Sequence, residues 1–168
     1  KRVLTQHSLS YGQQAMWFVH QIAPDSAAYH ITAALRLQGK LDVSALQRAL
    51  QQLLSRHPSL RSTFAGNSGK PVQLIHEHSR LTFEINDATN WSDAILNESL
   101  LREVNRPFDL SRGPLFRVSL FARSVDDHAM LIVVHHIVAD LWSMTILARE
   151  LGALYAAETV GTQSALQP

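Results

Sequence analysis

The sequence contains no cysteine, which excludes disulfide bonds and thiolate metal sites. A chain without cysteine fits a reducing compartment, so we expect a cytoplasmic protein. An excess of one charge is also missing, because 15 basic and 14 acidic residues leave a formal net charge of +1. We therefore expect no nucleic acid partner and no attraction to anionic membrane surfaces.

Long apolar runs are absent as well. The longest, residues 129–134, is far shorter than the roughly 20 residues that a membrane-spanning helix needs, and no signal peptide opens the chain. We expect a soluble protein without a membrane partner. With 168 residues, 46% of them hydrophobic, the chain can bury one core and predicts a single domain. The start at Lys1 without Met and the polar stretch 159–168 suggest a piece of a longer protein.

Helical periodicity predicts four helices in the chain. Apolar residues at helical spacing predict helices at 10–22, after Asp42, at 91–104 and after Asp140. Ser10 and Gln13 have the spacing of a capping box, and Asp42 and Asp140 are well placed as N-caps. Pro24, Pro58 and Pro107 end the first three helices.

Extended segments separate these helices. Alternating apolar residues predict strands at 29–37, 60–65, 72–76, 81–85 and 116–120, with a hairpin turn at 66–69. The continuous apolar run 129–134 predicts a strand that is covered on both faces and lies centrally in its sheet. The fold class is therefore α/β (α+β), with a mixed, mostly antiparallel sheet packed with helices.

The chemistry-bearing residues come where this central strand ends and the last helix begins. His135 and His136 follow the strand, and Asp140 precedes the helix. Neighbouring side chains on a strand point to opposite faces, so one of the two histidines is predicted to be structural. Taken singly, each histidine is more simply a core or surface residue, and the aspartate a helix cap. Taken together, a histidine pair and an acid at this position predict a functional site.

Two common chemistries do not fit this arrangement. Adjacent histidines on a strand rarely bind one ion and no cysteine is available, so we predict no metal site. The Gly-x-Ser-x-Gly pattern of a hydrolase nucleophile is absent, which argues against a Ser-His-Asp triad.

Residues 135–143 resemble the HHxxxDG motif of condensation domains from nonribosomal peptide synthetases, and more loosely the HxxxD motif of the chloramphenicol acetyltransferase-like superfamily. Further segments that resemble this family's motifs are 10–17, 56–64 and the "PFDLxxGPLxR" segment 106–117. The resemblance covers nearly the whole chain. It implies that residues 1–158 form the N-terminal lobe of a two-lobed, V-shaped domain and that 159–168 begin the linker to a C-terminal lobe.

The resemblance also implies roles for single residues. In the family, the second histidine faces the point where an acceptor amine attacks the carbonyl of a donor thioester, so His136 is expected to be catalytic, either as a base or by positioning the amine. Imidazole suits this task because its ordinary pKa is about 6.5. Asp140 is expected to pair with Arg61 and hold the loop in shape. His135, Trp142 and Ser143 are expected to be structural parts of the motif.

The sequence departs from the family pattern at several positions. Leu141 replaces the glycine after the aspartate, which places a branched side chain beside the substrate channel. This change is compatible with a narrower acceptor side, a different substrate, or a subgroup from mixed polyketide and peptide assembly lines. The first motif has Ala15 in place of arginine and Gly12 in place of alanine, and the second has Pro58 in place of its acid. Trp17 and Trp91 are interpreted as core residues.

The implied substrates arrive on phosphopantetheine arms of peptidyl or acyl carrier proteins, so no cofactor is expected to bind the chain directly. The other implied partners are the C-terminal lobe and neighbouring synthetase modules. Without the opposite wall of the channel, the isolated lobe is expected to be inactive, because it cannot hold two carriers in reacting geometry.

Alternative functions within and outside the superfamily stay open at this point. An acyltransferase that forms an ester on a hydroxyl acceptor has a similar motif. A non-catalytic module that binds carrier proteins would keep the same fold. Heterocyclisation is disfavoured because its motif usually begins with aspartate, and epimerisation normally shows other signatures.

Overall fold

The computed structural model describes residues 2–67, 70–162, 164 and 166. The strands are β1 (Val3–Ser8), β2 (His30–Gln38), β3 (Ser62–Asn67), β4 (Lys70–His76), β5 (Thr82–Asp87), β6 (Phe116–Ala122) and β7 (Asp127–His135). The helices are α1 (Tyr11–Ile22), α2 (Val43–Arg56), α3 (Asp93–Asn105) and α4 (Leu141–Val160), and a short 3-10 helix, Pro58–Arg61, precedes β3.

The helices begin where the sequence predicts them. At the start of α1, the Ser10 hydroxyl accepts from the Gln13 amide and the Gln13 side chain accepts from the Ser10 amide, which is the predicted capping box. Asp42 caps α2 and Asp140 caps α4. Each side chain accepts the backbone N–H of the residue three positions further along the chain. These caps are made by hydrogen bonds within three residues of sequence, which is why spacing alone predicts the helix starts.

The central sheet confirms the predicted architecture. Its strand order is β2-β7-β6-β5, with the β5–β6 pair parallel and the other pairs antiparallel. Strand β7 lies between β2 and β6, and its residues 130–135 are all buried. The prediction of a central strand covered on both faces is therefore confirmed.

A second sheet was not predicted. Strand β4 pairs on one side with β3 and on the other with β1, a strand that the sequence analysis does not predict. Every residue of β1 is exposed, so its sequence carries no alternation of buried and solvent-facing side chains. The small sheet therefore adds to the predicted mixed sheet, and β1 is held in it by backbone pairing rather than by an apolar face. The β3–β4 hairpin is present, with Asn67 opposite Lys70, while Ser68 and Gly69 of its predicted turn lie outside the described residues.

The core lies between the sheets and helices α2 and α4. Helix α2 contributes the largest helical share, with its buried residues Ala45, Leu46, Ala49, Leu50, Leu53 and Leu54. Helix α4 packs against α2 and runs to Val160, two residues past the predicted end of the lobe at 158. The linker boundary itself stays a prediction, since residues 163, 165, 167 and 168 lie outside the described part. No helix among the described residues is long and apolar enough to cross a membrane.

Candidate active site

The loop 136–140 joins the central strand β7 to helix α4 and separates the two histidines. His135 is the last residue of β7 and is buried, whereas His136 is exposed. The backbone N–H of His136 donates to the Tyr29 carbonyl at 2.8 Å, and that of His135 donates to the Leu115 carbonyl at 3.0 Å. The prediction that the two side chains face different environments is confirmed.

The His136 ring has one nitrogen held and one nitrogen free. Its Nδ1 lies 2.8 Å from the Ala139 carbonyl oxygen. A carbonyl can only accept, so Nδ1 carries the hydrogen and the lone pair of the neutral ring is on Nε2. No hydrogen bond reaches Nε2 from residues 2–67 or 70–162. The loop therefore presents an exposed imidazole whose outer nitrogen is a proton acceptor.

The His135 ring has the opposite arrangement. Its Nδ1 accepts the backbone N–H of Ile137 at 3.1 Å, which requires that Nδ1 carry no hydrogen. Burial, together with the neighbouring histidines, lowers the pKa of His135 to about 4, so the ring is neutral near pH 7. The rings that surround it, at centroid distances of 6.1 to 6.4 Å, are those of His30, Tyr29, Phe108 and His20. His135 is thus a neutral acceptor that holds the loop through the Ile137 N–H.

Asp140 and Ser143 form the N-cap of α4. One Asp140 carboxylate oxygen accepts the Ser143 backbone N–H at 2.7 Å and the Ser143 hydroxyl at 2.6 Å. These hydrogen bonds lower the pKa of Asp140, and the bond from the Ser143 hydroxyl has the largest effect. The carboxylate is therefore ionised near neutral pH, and its hydrogen bonds to the first turn of α4 give it a structural role.

Arg61 does not pair with Asp140, and the expectation that it does is wrong. Its Nη1 donates to the carbonyl of His76 and, at 3.0 Å, to that of Glu77. Arg61 ends the 3-10 helix next to the last residues of β4, so its side chain lies within reach of their carbonyls. It ties the second motif to the small sheet and does not brace the histidine loop.

The arginine that anchors the loop's helix is Arg56. Its Nε donates to a Glu150 carboxylate oxygen at 3.0 Å, and the His57 Nε2 lies 2.7 Å from the same oxygen. Glu150 is buried on α4 between Leu147 and Leu151. A buried acid on an otherwise apolar helix face needs a charged or hydrogen-bonding partner. The position of Glu150 on such a face was the signal in the sequence that could have predicted its pairing with Arg56. The contact fixes α4, and hence its N-terminal loop, to the end of α2.

The "PFDLxxGPLxR" segment supports His135 from below. The Arg117 guanidinium lies 4.0 Å from the Phe108 ring centroid and donates to the carbonyls of Glu103, at 2.8 Å, and Arg106. Burial lowers the pKa of Arg117 to about 10, so the group remains a cation. Phe108 in turn contacts His135 edge to face. The segment therefore contributes to the site by packing against His135. The spacing of its residues in the sequence did not predict this contact.

Apolar side chains are exposed beside the loop. Leu141 and Trp142, the first residues of α4, are 76% and 74% exposed, and Tyr11 on the first turn of α1 is 92% exposed. Trp17 and Trp91 pack against the core, as predicted. No group of three or more His, Asp or Glu residues that could hold a metal ion occurs among the described residues.

The comparisons with known proteins agree on one family. The family model for the condensation domain matches residues 3–168. A linear gramicidin synthase from Brevibacillus parabrevis is 44% identical over 153 residues, which are 89% of this chain and 3% of that protein. The starter condensation domain of rhizomide synthetase superposes with a TM-score of 0.89 at 25% identity, covering 96% of this chain and 41% of that chain. A four-domain nonribosomal peptide synthetase, solved with AMP and glycine, gives a TM-score of 0.86 at 23% identity over 92% of this chain and 12% of its own.

The chain belongs to the condensation domain family. Condensation domains of nonribosomal peptide synthetases are acyltransferases that form peptide bonds, and the resemblance of the chain and of its fold class to this family is confirmed. The chain spans only a small part of the curated relatives, and less than half of the solved starter domain.

Proposed function

We propose that this chain is the lobe of a condensation domain that supplies the catalytic histidine, His136, for amide bond formation between carrier-bound thioesters. The observation that carries the proposal is the orientation of that ring. Its Nδ1–H is held by the Ala139 carbonyl, and its Nε2 has no hydrogen-bonding partner in the described ranges. The chain thus presents one oriented base on an exposed loop, next to the exposed apolar side chains of Leu141 and Trp142.

The chemistry of amide formation matches a nitrogen held in this way. The acceptor amine attacks the donor thioester carbonyl, the new C–N bond forms, and the C–S bond breaks. One proton leaves the amine and one reaches the departing thiolate. His136 Nε2 can accept the first and return it to sulfur, or can orient the amine by accepting its hydrogen bond. Both roles use the same lone pair and require that Nδ1 remain the protonated nitrogen.

The other motif residues act as scaffold in this proposal. Asp140 and Ser143 start α4, and His135 accepts the backbone of the loop. Leu141 lies on the exposed first turn of α4, directly after the cap, and we assign it to the wall of the substrate channel. A branched side chain there narrows the channel relative to glycine, so Leu141 is expected to restrict the acceptor.

The proposed partners follow from the surface that this lobe leaves exposed. His136, Leu141 and Trp142 are exposed together, and an exposed apolar surface of this kind marks a contact site. In the proposal, the C-terminal lobe forms the opposite wall, and donor and acceptor enter on the phosphopantetheine arms of carrier proteins from neighbouring modules. No cofactor bound directly to the chain is needed for this reaction.

The experiment that tests this function compares two acceptors. The synthetase that carries this chain is given one donor thioester and a carrier-bound acceptor that bears either an amine or a hydroxyl, and product mass is measured. We expect amide from the amine acceptor. The 168-residue chain alone should be slower by at least about 10³-fold, because nothing holds the two thioesters together.

Each other result would replace the proposal with a specific alternative. Product from the hydroxyl acceptor alone would identify an ester-forming acyltransferase. No product from either acceptor, with both carriers verified as loaded and bound, would identify a carrier-binding module. Comparable turnover by the isolated chain would contradict the need for a second lobe.

A further inference from the structure

Gln13 joins the first turn of α1 to the histidine loop. Its Oε1 accepts the Ser10 backbone N–H at 3.0 Å, which completes the capping box. Its Nε2 donates to the Ile137 carbonyl at 3.2 Å, across 124 residues of sequence. One side chain therefore makes a local hydrogen bond that starts the helix and a distant one that reaches the residue directly after His136.

Both backbone groups of Ile137 are held by side chains. Its N–H donates to His135 Nδ1 at 3.1 Å, and its carbonyl accepts from Gln13. Ile137 is buried, so a carbonyl left without a partner there would be costly. On the other side, the N–H of His136 donates to the Tyr29 carbonyl. The peptide units before and after His136 are thus fixed by different elements.

These contacts determine where the catalytic ring points. The direction of the Cα–Cβ bond of His136 depends on the orientation of its two flanking peptides. Rotation of the peptide of Ile137 would also move the Ala139 carbonyl that holds Nδ1, since the two residues belong to one tight turn. Helix α1 contacts this turn through the side-chain hydrogen bond that Gln13 donates to the Ile137 carbonyl.

We propose that Gln13 is a positioning residue for His136, and that its amide N–H holds the loop so that Nε2 of His136 meets the reacting thioester. This inference rests on the function proposed above. It assigns to Gln13 a role in catalysis beyond its place in the capping box.

The chain offers variants that separate the two roles. Gln13→Glu keeps an oxygen for the Ser10 N–H, and glutamate is favoured at this capping position, so α1 should still form. It replaces the donor to Ile137 with an acceptor that cannot bond to a carbonyl. Gln13→Met removes the donor without adding a charge.

Gln14 provides the matched control. It lies on the same turn of α1, is half-buried like Gln13, and donates through Nε2 to a backbone carbonyl, that of Leu9, at 3.0 Å. Gln14→Glu and Gln14→Met therefore make the same side-chain changes and lose a similar hydrogen bond to a backbone carbonyl, whereas Gln13→Met also loses the Oε1 contact with the Ser10 N–H. The Gln14 variants leave the contact with Ile137 intact.

The test measures kcat, KM and melting temperature for these variants in the intact synthetase. We expect both Gln13 variants to lower kcat by about tenfold or more with KM unchanged, and both Gln14 variants to stay within about twofold of wild type. Melting temperatures should be alike for the two Glu variants, and Gln13→Met should melt lower than Gln14→Met because it also loses the capping contact with Ser10. Nitrogen NMR shifts of the His136 ring should show loss of the single Nδ1–H tautomer in the Gln13 variants alone.

Other outcomes would overturn the inference. Wild-type kcat in both Gln13 variants, or equal losses in the Gln14 variants, would show that the contact does not position His136. A loss in Gln13→Glu but not in Gln13→Met would identify the added charge as the cause. A His136→Ala arm separates this inference from the proposed function: if that variant is inactive while the Gln13 variants are fully active, only the role of Gln13 fails. If His136→Ala is fully active, both fail.

Discussion

Replacing His136 with alanine is expected to slow amide formation by the intact condensation domain by at least about 10²-fold, because proton transfer by a positioned side chain contributes about 10²–10⁴-fold. The ring is exposed and its hydrogen bond to Ala139 stays within the loop, so the substitution should change stability little. Single-turnover measurements with loaded donor and acceptor carriers isolate the chemical step from carrier binding.

Two further variants sharpen this measurement. His136→Gln keeps a polar side chain of similar reach that cannot take up a proton. Activity as low as in His136→Ala would indicate a base, and activity well above it would indicate that positioning of the amine is the larger effect. His78→Ala removes another exposed histidine, remote from the loop in the chain, and should retain the wild-type rate. Retention of that rate by His136→Ala would contradict the catalytic assignment.

The free energy of unfolding is expected to fall as the pH drops from about 6.5 towards 4, because His135 must stay neutral in the fold. Its pKa is about 4 in the folded chain, lowered by burial, and about 6.5 in the unfolded chain. The unfolded state therefore binds the proton first, so the full stability is present above pH 6.5 and is lost as the pH approaches 4. A difference of this size corresponds to about 3 kcal/mol.

Urea unfolding of the chain between pH 7 and 4 measures this dependence. Burial also lowers the pKa of His20 and of His30, so the wild-type slope includes more than one group. His135→Asn offers an amide oxygen to the Ile137 N–H in place of Nδ1 but cannot titrate in this range. Its slope should be shallower than that of wild type by up to one proton. A slope in His135→Asn equal to that of wild type would contradict the assignment of a buried, neutral His135.

The features that could be predicted from the sequence are those with local causes. Ser10, Asp42 and Asp140 cap helices because hydroxyls and carboxylates satisfy free N–H groups within a few residues. The run 129–134 predicted a central strand because only a strand covered on both faces can be apolar throughout. The alternation of side chains along a strand predicted that His135 and His136 would be divided, and the structure divides them because the buried strand ends at His135 and His136 lies in the exposed loop.

The features that were missed depend on contacts between distant segments. Strand β1 carries no apolar face and exists through pairing with β4, which local pattern does not encode. The expected pair of Arg61 and Asp140 rested on family resemblance, whereas the reach of the Arg61 side chain depends on where β4 ends. Gln13 was recognised from its capping box, but its bond to Ile137 appears only when α1 and the loop are brought together.

The account depends on His136 Nε2 facing the reacting groups while Nδ1 stays on the Ala139 carbonyl. A structure of the intact domain with a non-reactive donor thioester and an amine acceptor measures this directly. We predict that Nε2 lies about 2.6–3.2 Å from the acceptor nitrogen, with the Nδ1 contact retained. A ring turned so that Nε2 bonds to the protein, with the amine held by other residues, would contradict the account.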